Sequence, residues 1–160
     1  MLNPKIKLYL LKKNNMKKFI LFSILVFVFS QGFMQAQNIK QKHVRKFCKE
    51  FASLVQNGDI DNTIRFFDEE YLQLQLYGML KSNKIQFVEE FLAGYTNDRS
   101  FVVPSIKEIE KVSVKEIEQL EEDEFKVNLT IYLYDGKIIS TPIIVKAFSN
   151  KKMVLLGAVG

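Results

Sequence analysis

The sequence predicts an α+β fold, with N-terminal helices packed on one face of a curved antiparallel sheet of about four strands. Three observations lead there. Apolar residues recur at helical spacing from Val44 to Leu92. From Phe125 onward the period changes to two, the signature of half-buried strands. Short turn signals then separate consecutive strands, which makes neighbours antiparallel. Helices first and a meander after is an α+β order, and the helices are the elements available to cover the apolar sheet face.

Val44, Phe47, Cys48, Phe51, Leu54 and Val55 form one apolar stripe, while Lys42, Arg45, Lys46 and Lys49 lie off it. Gly58 follows as the residue that ends this helix in a left-handed conformation. Asp61 is the expected N-cap of a short helix carrying Ile64, Phe66 and Phe67. Asp68-Glu69-Glu70 reads as the next helix start, with acids where the macrodipole favours them. That helix carries Leu72, Leu76, Met79 and Leu80 up to a break at Ser82-Asn83. Phe87, Val88, Phe91 and Leu92 mark a last helix closed by Gly94, and residues 95–105 read as a loop leaving through Pro104.

Ile106 to Ile117 is the first expected long strand, followed by an acidic turn from Glu118 to Glu124. Phe125, Val127, Leu129, Ile131 and Leu133 alternate with Lys126, Asn128, Thr130, Tyr132 and Tyr134, the clearest strand of the chain. Asp135-Gly136 is a type I′ hairpin signal. The return strand runs from Lys137 to Phe148, with Pro142 placing a bulge or an edge in it. Asn150-Lys151 turns into a final strand, Met153 to Val159.

Residues 1–36 read as a signal peptide. Lys17 and Lys18 precede an apolar run, Phe19 to Phe29, interrupted only by Ser23 and shorter than a spanning helix requires. Ser30-Gln31-Gly32 offers small side chains at both recognition positions of the peptidase. Cutting after Ala36 resembles the leader ends of exported Bacteroidetes proteins and is the preferred site. Met16 is an alternative start. A retained leader would instead tether the domain to the inner membrane. A lipoprotein is excluded on this reading, because Cys48 does not directly follow the leader. The expected location is the periplasm or the extracellular space, with membrane contact only through the signal segment during export.

The leader also carries the charge of the chain. The whole sequence has 23 basic and 18 acidic residues, but six lysines and no acid fall within residues 1–36. Residues 37–160 are left with 17 against 18, a net charge of −1. That removes the basic footprint a nucleic-acid partner needs. These 124 residues suit one α+β domain that buries about two-thirds of its unfolded surface. One cysteine makes no internal disulfide, so packing must hold the domain together.

The order of elements resembles the NTF2-like, cystatin-like α+β superfamily. The opening helix VRKFCKEFASLVQNGDI turns at its NGD into a second helix, and the strands VNLTIYLYDGKIISTPIIV are joined by a tight hairpin. The resemblance covers residues 40–160 and implies a cone in which helices and a curved sheet enclose a pocket. The superfamily contains enzymes, transport factors and binding modules, so fold analogy alone selects no activity.

No catalytic or cofactor signature accompanies this pattern. His43, the sole histidine, has no carboxylate placed locally to orient it. Cys48 sits on the apolar stripe as a small hydrophobe. One histidine and one cysteine do not make a zinc site, and neither Asp59-Ile60-Asp61 nor Asp68-Glu69-Glu70 extends into a calcium loop. Glu121-Glu122-Asp123-Glu124 reads as a solvated hairpin tip. The ligand-contact candidates are Tyr95, Asp98, Arg99 and Phe101, two aromatics and two charges near the end of the helical layer. A second candidate surface lies on the sheet. The return strand is apolar on both parities, with Ile138 and Ile144 on one and Ile139, Ile143 and Val145 on the other. Together with Thr130, Tyr132 and Tyr134 it suggests a homodimer interface.

The reading is an exported, non-enzymatic module that binds a small apolar ligand or a protein partner, with no catalytic residue, metal or cofactor assigned. The alternative is a small pocket enzyme of the isomerase or hydrolase kind, drawing acid and base from Tyr71, Glu90, Asp98 or Tyr132. Two ionisable groups converging within hydrogen-bond reach in one pocket would favour the enzyme.

Overall fold

Phe51 is where the aromatic interior converges. Its ring lies 5.8 Å from that of Phe66 and 5.9 Å from those of Phe67 and Phe91, drawing three helices onto one sheet face. The computed structural model describes residues 40–77, 83–149 and 152–158. The segment read as a leader, the Met79-Leu80 and Ser82 positions and the residues Asn150-Lys151 read as a turn lie outside these residues. All the described residues belong to one compact unit, and none of their helices is long and apolar enough to cross a membrane.

Helix α1 is helical over 40–56, and its stripe buries Val44, Cys48, Phe51 and Val55 completely. It ends at Gly58, whose φ of +69° supplies the left-handed residue. The Gly58 amide donates to Val55 O and the Asp59 amide to Leu54 O, satisfying the last carbonyls. The next helix, α2 (Ile60–Ile64), is capped by Asp59 rather than Asp61, because the glycine turn delivers Asp59 directly to the helix entrance. Asp61 instead pairs with Lys84 on the surface. In α3 (Glu69–Leu72) the Asp68 side chain accepts from the amides of Glu70 and Tyr71, as the sequence predicts, and the helix widens into a π turn over Gln73–Tyr77. Asn83 caps α4 (Lys84–Phe91) through the amides of Ile85 and Gln86. Gly94 does not close α4; the helix stops at Leu92, and Gly94 begins a strand.

Among the described residues six strands stand where about four were expected. The four long ones are those the alternation marks: β3 (Ile109–Gln119), β4 (Glu124–Leu133), β5 (Ile138–Ala147) and β6 (Met153–Ala158). A turn of 3-10 helix, Ile106–Glu108, occupies the start of the segment read as the first strand. The two added strands, β1 (Gly94–Thr96) and β2 (Phe101–Val102), form a hairpin inside the stretch read as a loop.

The sheet is antiparallel in the order β2-β1-β5-β4-β3, with β6 also paired to β5. One edge of β5 therefore serves two strands end to end. β1 pairs with Ile139 and Ser140, β6 pairs with Ile143 to Ala147, and Pro142 stands at the break between them. Proline donates no backbone hydrogen bond, and this break is where the ladder on that edge changes partner. Alternate residues of β4 and β5, including Phe125, Val127, Leu129, Ile131, Ile139, Ile143 and Val145, are fully buried beneath the helices. The far edge of β6 is closed by the link between α2 and α3. There Asp68 N donates to Leu155 O and Leu155 N donates to Phe66 O, at 2.9 and 2.8 Å.

The β1–β2 and β4–β5 hairpin turns follow one design. In both, the last residue of the leading strand donates its amide to a carbonyl four residues on, Leu133 to Lys137 and Thr96 to Ser100. An aspartate in the middle accepts from the amide two residues later, Asp135 from Lys137 and Asp98 from Ser100. The residue after that aspartate is left-handed, Gly136 at φ +86° and Arg99 at φ +66°. The β4–β5 connection is thus a three-residue loop with a left-handed closing residue, not the type I′ turn expected, since Asp135 does not take positive φ.

Candidate functional site

Gly94 and Thr141 fix the sheet around the break in the β5 edge. Thr141 is fully buried, and its hydroxyl donates to Leu92 O at 2.7 Å and to Ala93 O at 3.3 Å, tying the end of α4 to the middle of β5. A Cβ on Gly94 would lie 2.6 Å from Thr141 Oγ1 and nearer still to the Ser140 carbonyl oxygen. Only glycine lets β1 approach β5 here.

A cleft of about 240 Å³ lies beside this junction. Tyr71, Gln75, Phe87, Glu90, Phe91, Ala93, Phe101 and Ala158 line it, from α3 and its π turn, α4, the ends of the sheet break and β2. Helical spacing puts Phe87 and Phe91 one turn apart on α4, while Tyr71 comes from α3 and Phe67 packs behind them from the link before α3, where it bridges to Leu155. The four pack together, with Phe67 and Phe91 centroids at 4.6 Å edge to face and Tyr71 and Phe67 stacked at 6.1 Å. Burial pushes the Tyr71 phenol above its ordinary pKa, so it remains a protonated donor at neutral pH. Glu90 Oε1 accepts from Gln86 Nε2 one turn away at 2.9 Å. Tyr71 and Glu90 line the same cleft without a hydrogen bond between them.

Of the four ligand candidates read from the sequence, Phe101 alone lines this cleft. Tyr95 faces it across the β1–β2 register, with ring centroids 5.7 Å apart, and both rings remain half exposed, at 49 % and 59 %. Asp98 belongs to a different groove between the two hairpin tips, lined also by Lys137 and Ile138. Its carboxylate is held at a pKa of about 2 by the Thr96 hydroxyl and by Ser100, a turn-stabilising role. Arg99 occupies the left-handed turn position.

The sheet candidates share a face. Register pairs Tyr132 with Ile138 and Thr130 with Ser140, on the parity opposite the buried residues, and Ile144 lies on that parity too. The strand is not equally apolar on its two sides. Ile138 is 36 % exposed and Ile144 half-buried, with Ser140 and Pro142 between them. Tyr134 lies beyond the end of β4 in the turn, 73 % exposed.

The acidic tip brings the carboxylates of Glu121, Asp123 and Glu124 within 4.8 Å of one another. Lys146 supplies their counter-charge, 3.2 Å from Glu124 and 3.8 Å from Asp123, and its own pKa rises as a result. A third groove beside this tip is lined by Lys40, Glu122, Asp123 and Phe148. Cys48 is wholly buried, with a thiol pushed up to about 12 by desolvation, which leaves it an inert hydrophobe.

No family model, curated protein or solved structure matches this chain.

Proposed function

We propose that the protein is an exported, non-enzymatic binding module of the NTF2-like kind that takes a small apolar ligand in the cleft between α3, α4 and the break in the sheet edge. The observation that carries this reading is the lining: Tyr71, Phe87, Phe91 and Phe101 converge where the fold leaves a concave opening. Two features favour binding over acid–base catalysis. Tyr71 keeps its proton at neutral pH, and no hydrogen bond joins it to Glu90. Asp98 and Tyr132, the other acid–base candidates, belong to a separate groove and to the opposite sheet face. The cone is supported by the order of helices and long strands, and by two register irregularities in β3, devices that bend a strand. The outer sheet face pairs two copies through Thr130, Tyr132, Ile138 and Ile144.

A neutral apolar dye, N-phenyl-1-naphthylamine, tests the binding reading. Its fluorescence should rise on addition of the protein. Phe101→Ser should weaken binding at least fivefold, since an exposed cleft-lining ring can be removed without opening the core. Phe148→Ser, in a different groove, should leave it unchanged. Absence of binding, or equal loss in both variants, contradicts the proposal.

A further inference from the structure

We propose that the ligand of this cleft is a neutral carbonyl compound, a ketone or an amide with an apolar body, whose oxygen accepts a hydrogen bond from the Tyr71 hydroxyl. The proposal rests on the ligand-binding reading above and adds the polar group of the ligand. Tyr71 in α3 and Gln75 in the π turn that follows both line the cleft. The Tyr71 ring is held by its neighbours, stacked on Phe67 at 6.1 Å and angled against Phe87 and Phe91 at 6.1 and 6.4 Å. Its Cε2 atom, bonded to the carbon that bears the hydroxyl, stands 3.6 Å from where a Cβ on Gly157 would lie. The hydroxyl end of the ring therefore reaches the end of β6, where Ala158 forms one wall of the cleft.

Among the described residues no hydrogen bond engages the Tyr71 hydroxyl or the Gln75 side-chain amide. Neither group is sealed in the core, since the enclosed side-chain oxygen without a partner among these residues is Gln119 Oε1. The phenol keeps its proton at neutral pH, so it has a donor to offer and no acceptor within the protein to take it. A wholly apolar ligand would strip water from that donor and return nothing, whereas a carbonyl oxygen replaces the water with a hydrogen bond. The lining also sets the charge of the acceptor. No lysine, arginine or histidine stands among the described residues that line the cleft. A carboxylate or phosphate would therefore leave water without meeting a positive charge, and a neutral oxygen escapes that cost.

The test displaces bound N-phenyl-1-naphthylamine from the purified protein with three molecules of nearly one shape. They are acetophenone, α-methylstyrene, in which a CH₂ group replaces the carbonyl oxygen, and the anion benzoate. Inhibition constants are compared, so that any change in dye affinity cancels. Tyr71→Phe should weaken acetophenone about fivefold, the effect of one neutral hydrogen bond, and leave α-methylstyrene unchanged. The variant keeps the ring and gives up no bond within the protein, so it retains the fold, and the unchanged α-methylstyrene constant verifies it. Benzoate should bind the wild type more weakly than acetophenone. An acetophenone constant untouched by Tyr71→Phe, equal weakening of both neutral compounds, or tighter binding of benzoate would each overturn the carbonyl proposal while the dye still binds. Failure of the dye itself to bind overturns the ligand-binding reading and this inference with it.

Discussion

Replacing Gly94 with alanine should be among the costliest one-methyl changes in this protein. The new Cβ would stand 2.6 Å from Thr141 Oγ1, where ordinary contact begins at 3.4 Å, with the Ser140 backbone closer still. β1 would have to retreat from β5 by more than about 1 Å to clear the Ser140 carbonyl oxygen, and a backbone obstacle cannot rotate aside as a side chain would. Such overpacking costs about 1–3 kcal/mol. The retreat also pulls Leu92 and Ala93 from the Thr141 hydroxyl, and losing a buried hydrogen bond adds about 1 kcal/mol. The sum, about 3 kcal/mol, should lower the urea midpoint by about 2 M at a slope near 1.5 kcal/mol/M. Gly58→Ala is the control. Nothing lies within 4 Å of its added Cβ, so its cost is the conformational one of φ +69°, about 1 kcal/mol. Circular dichroism during urea unfolding measures both. A Gly94→Ala midpoint within 0.3 M of the wild type, or above that of Gly58→Ala, would refute the close-approach argument.

Three further predictions follow from other parts of the molecule. Cys48→Ala should cost about 1–2 kcal/mol through the cavity it leaves, and the native thiol should resist a polar maleimide at neutral pH. Its folded pKa of about 12 exceeds the ordinary thiol value of 9.0, so the contribution of the thiol is complete below pH 9 and is lost as the pH rises from 9 towards 12. Alkaline unfolding of Cys48→Ala should lack that part of the slope, and an identical slope would contradict it. Light scattering should report a dimer at micromolar concentration, and Tyr132→Glu should shift it towards monomer, because an unpaired carboxylate at an interface costs several kcal/mol; a monomeric wild type ends the dimer reading. N-terminal sequencing of the exported protein should begin at Phe33 or Gln37; full-length protein held in the inner membrane would contradict cleavage.

Much of the fold was legible in residues 40–160 because burial in the two halves follows two clean periods. The stripe from Val44 to Val55 and the alternation from Phe125 to Leu133 each encode one buried face, and both faces are where the period puts them. The β1–β2 hairpin was hidden for a local reason. Its turn matches the Leu133–Lys137 turn, yet Arg99 fills the position where the other has Gly136, so the usual glycine signal is missing. Gly94 misled in the opposite sense. Its position after an apolar helix imitates a helix stop, and the need for it is tertiary, set by Ser140 and Thr141 far along the chain.

The cleft was half legible. Tyr71 and Glu90 stand out as ionisable groups, and Phe87 and Phe91 mark a ring pair on one helical face. No sequence signal joins those faces to Ala158 or Phe101, because their meeting depends on β1 and β6 sharing one edge of β5. Of the other ligand candidates, Tyr95 lies in β1 and Asp98 and Arg99 in the β1–β2 turn, and a turn uses the same polar and charged residue types as a binding loop.

A ¹⁵N–¹H nuclear magnetic resonance titration with N-phenyl-1-naphthylamine tests the central claim most directly. If the cleft is the binding site, the amide signals of Tyr71, Glu90, Ala93 and Ala158 shift together and saturably, while those of Thr130 and Lys126 on the outer sheet face stay fixed. Shifts confined to the outer face, or none at saturating dye, would contradict it.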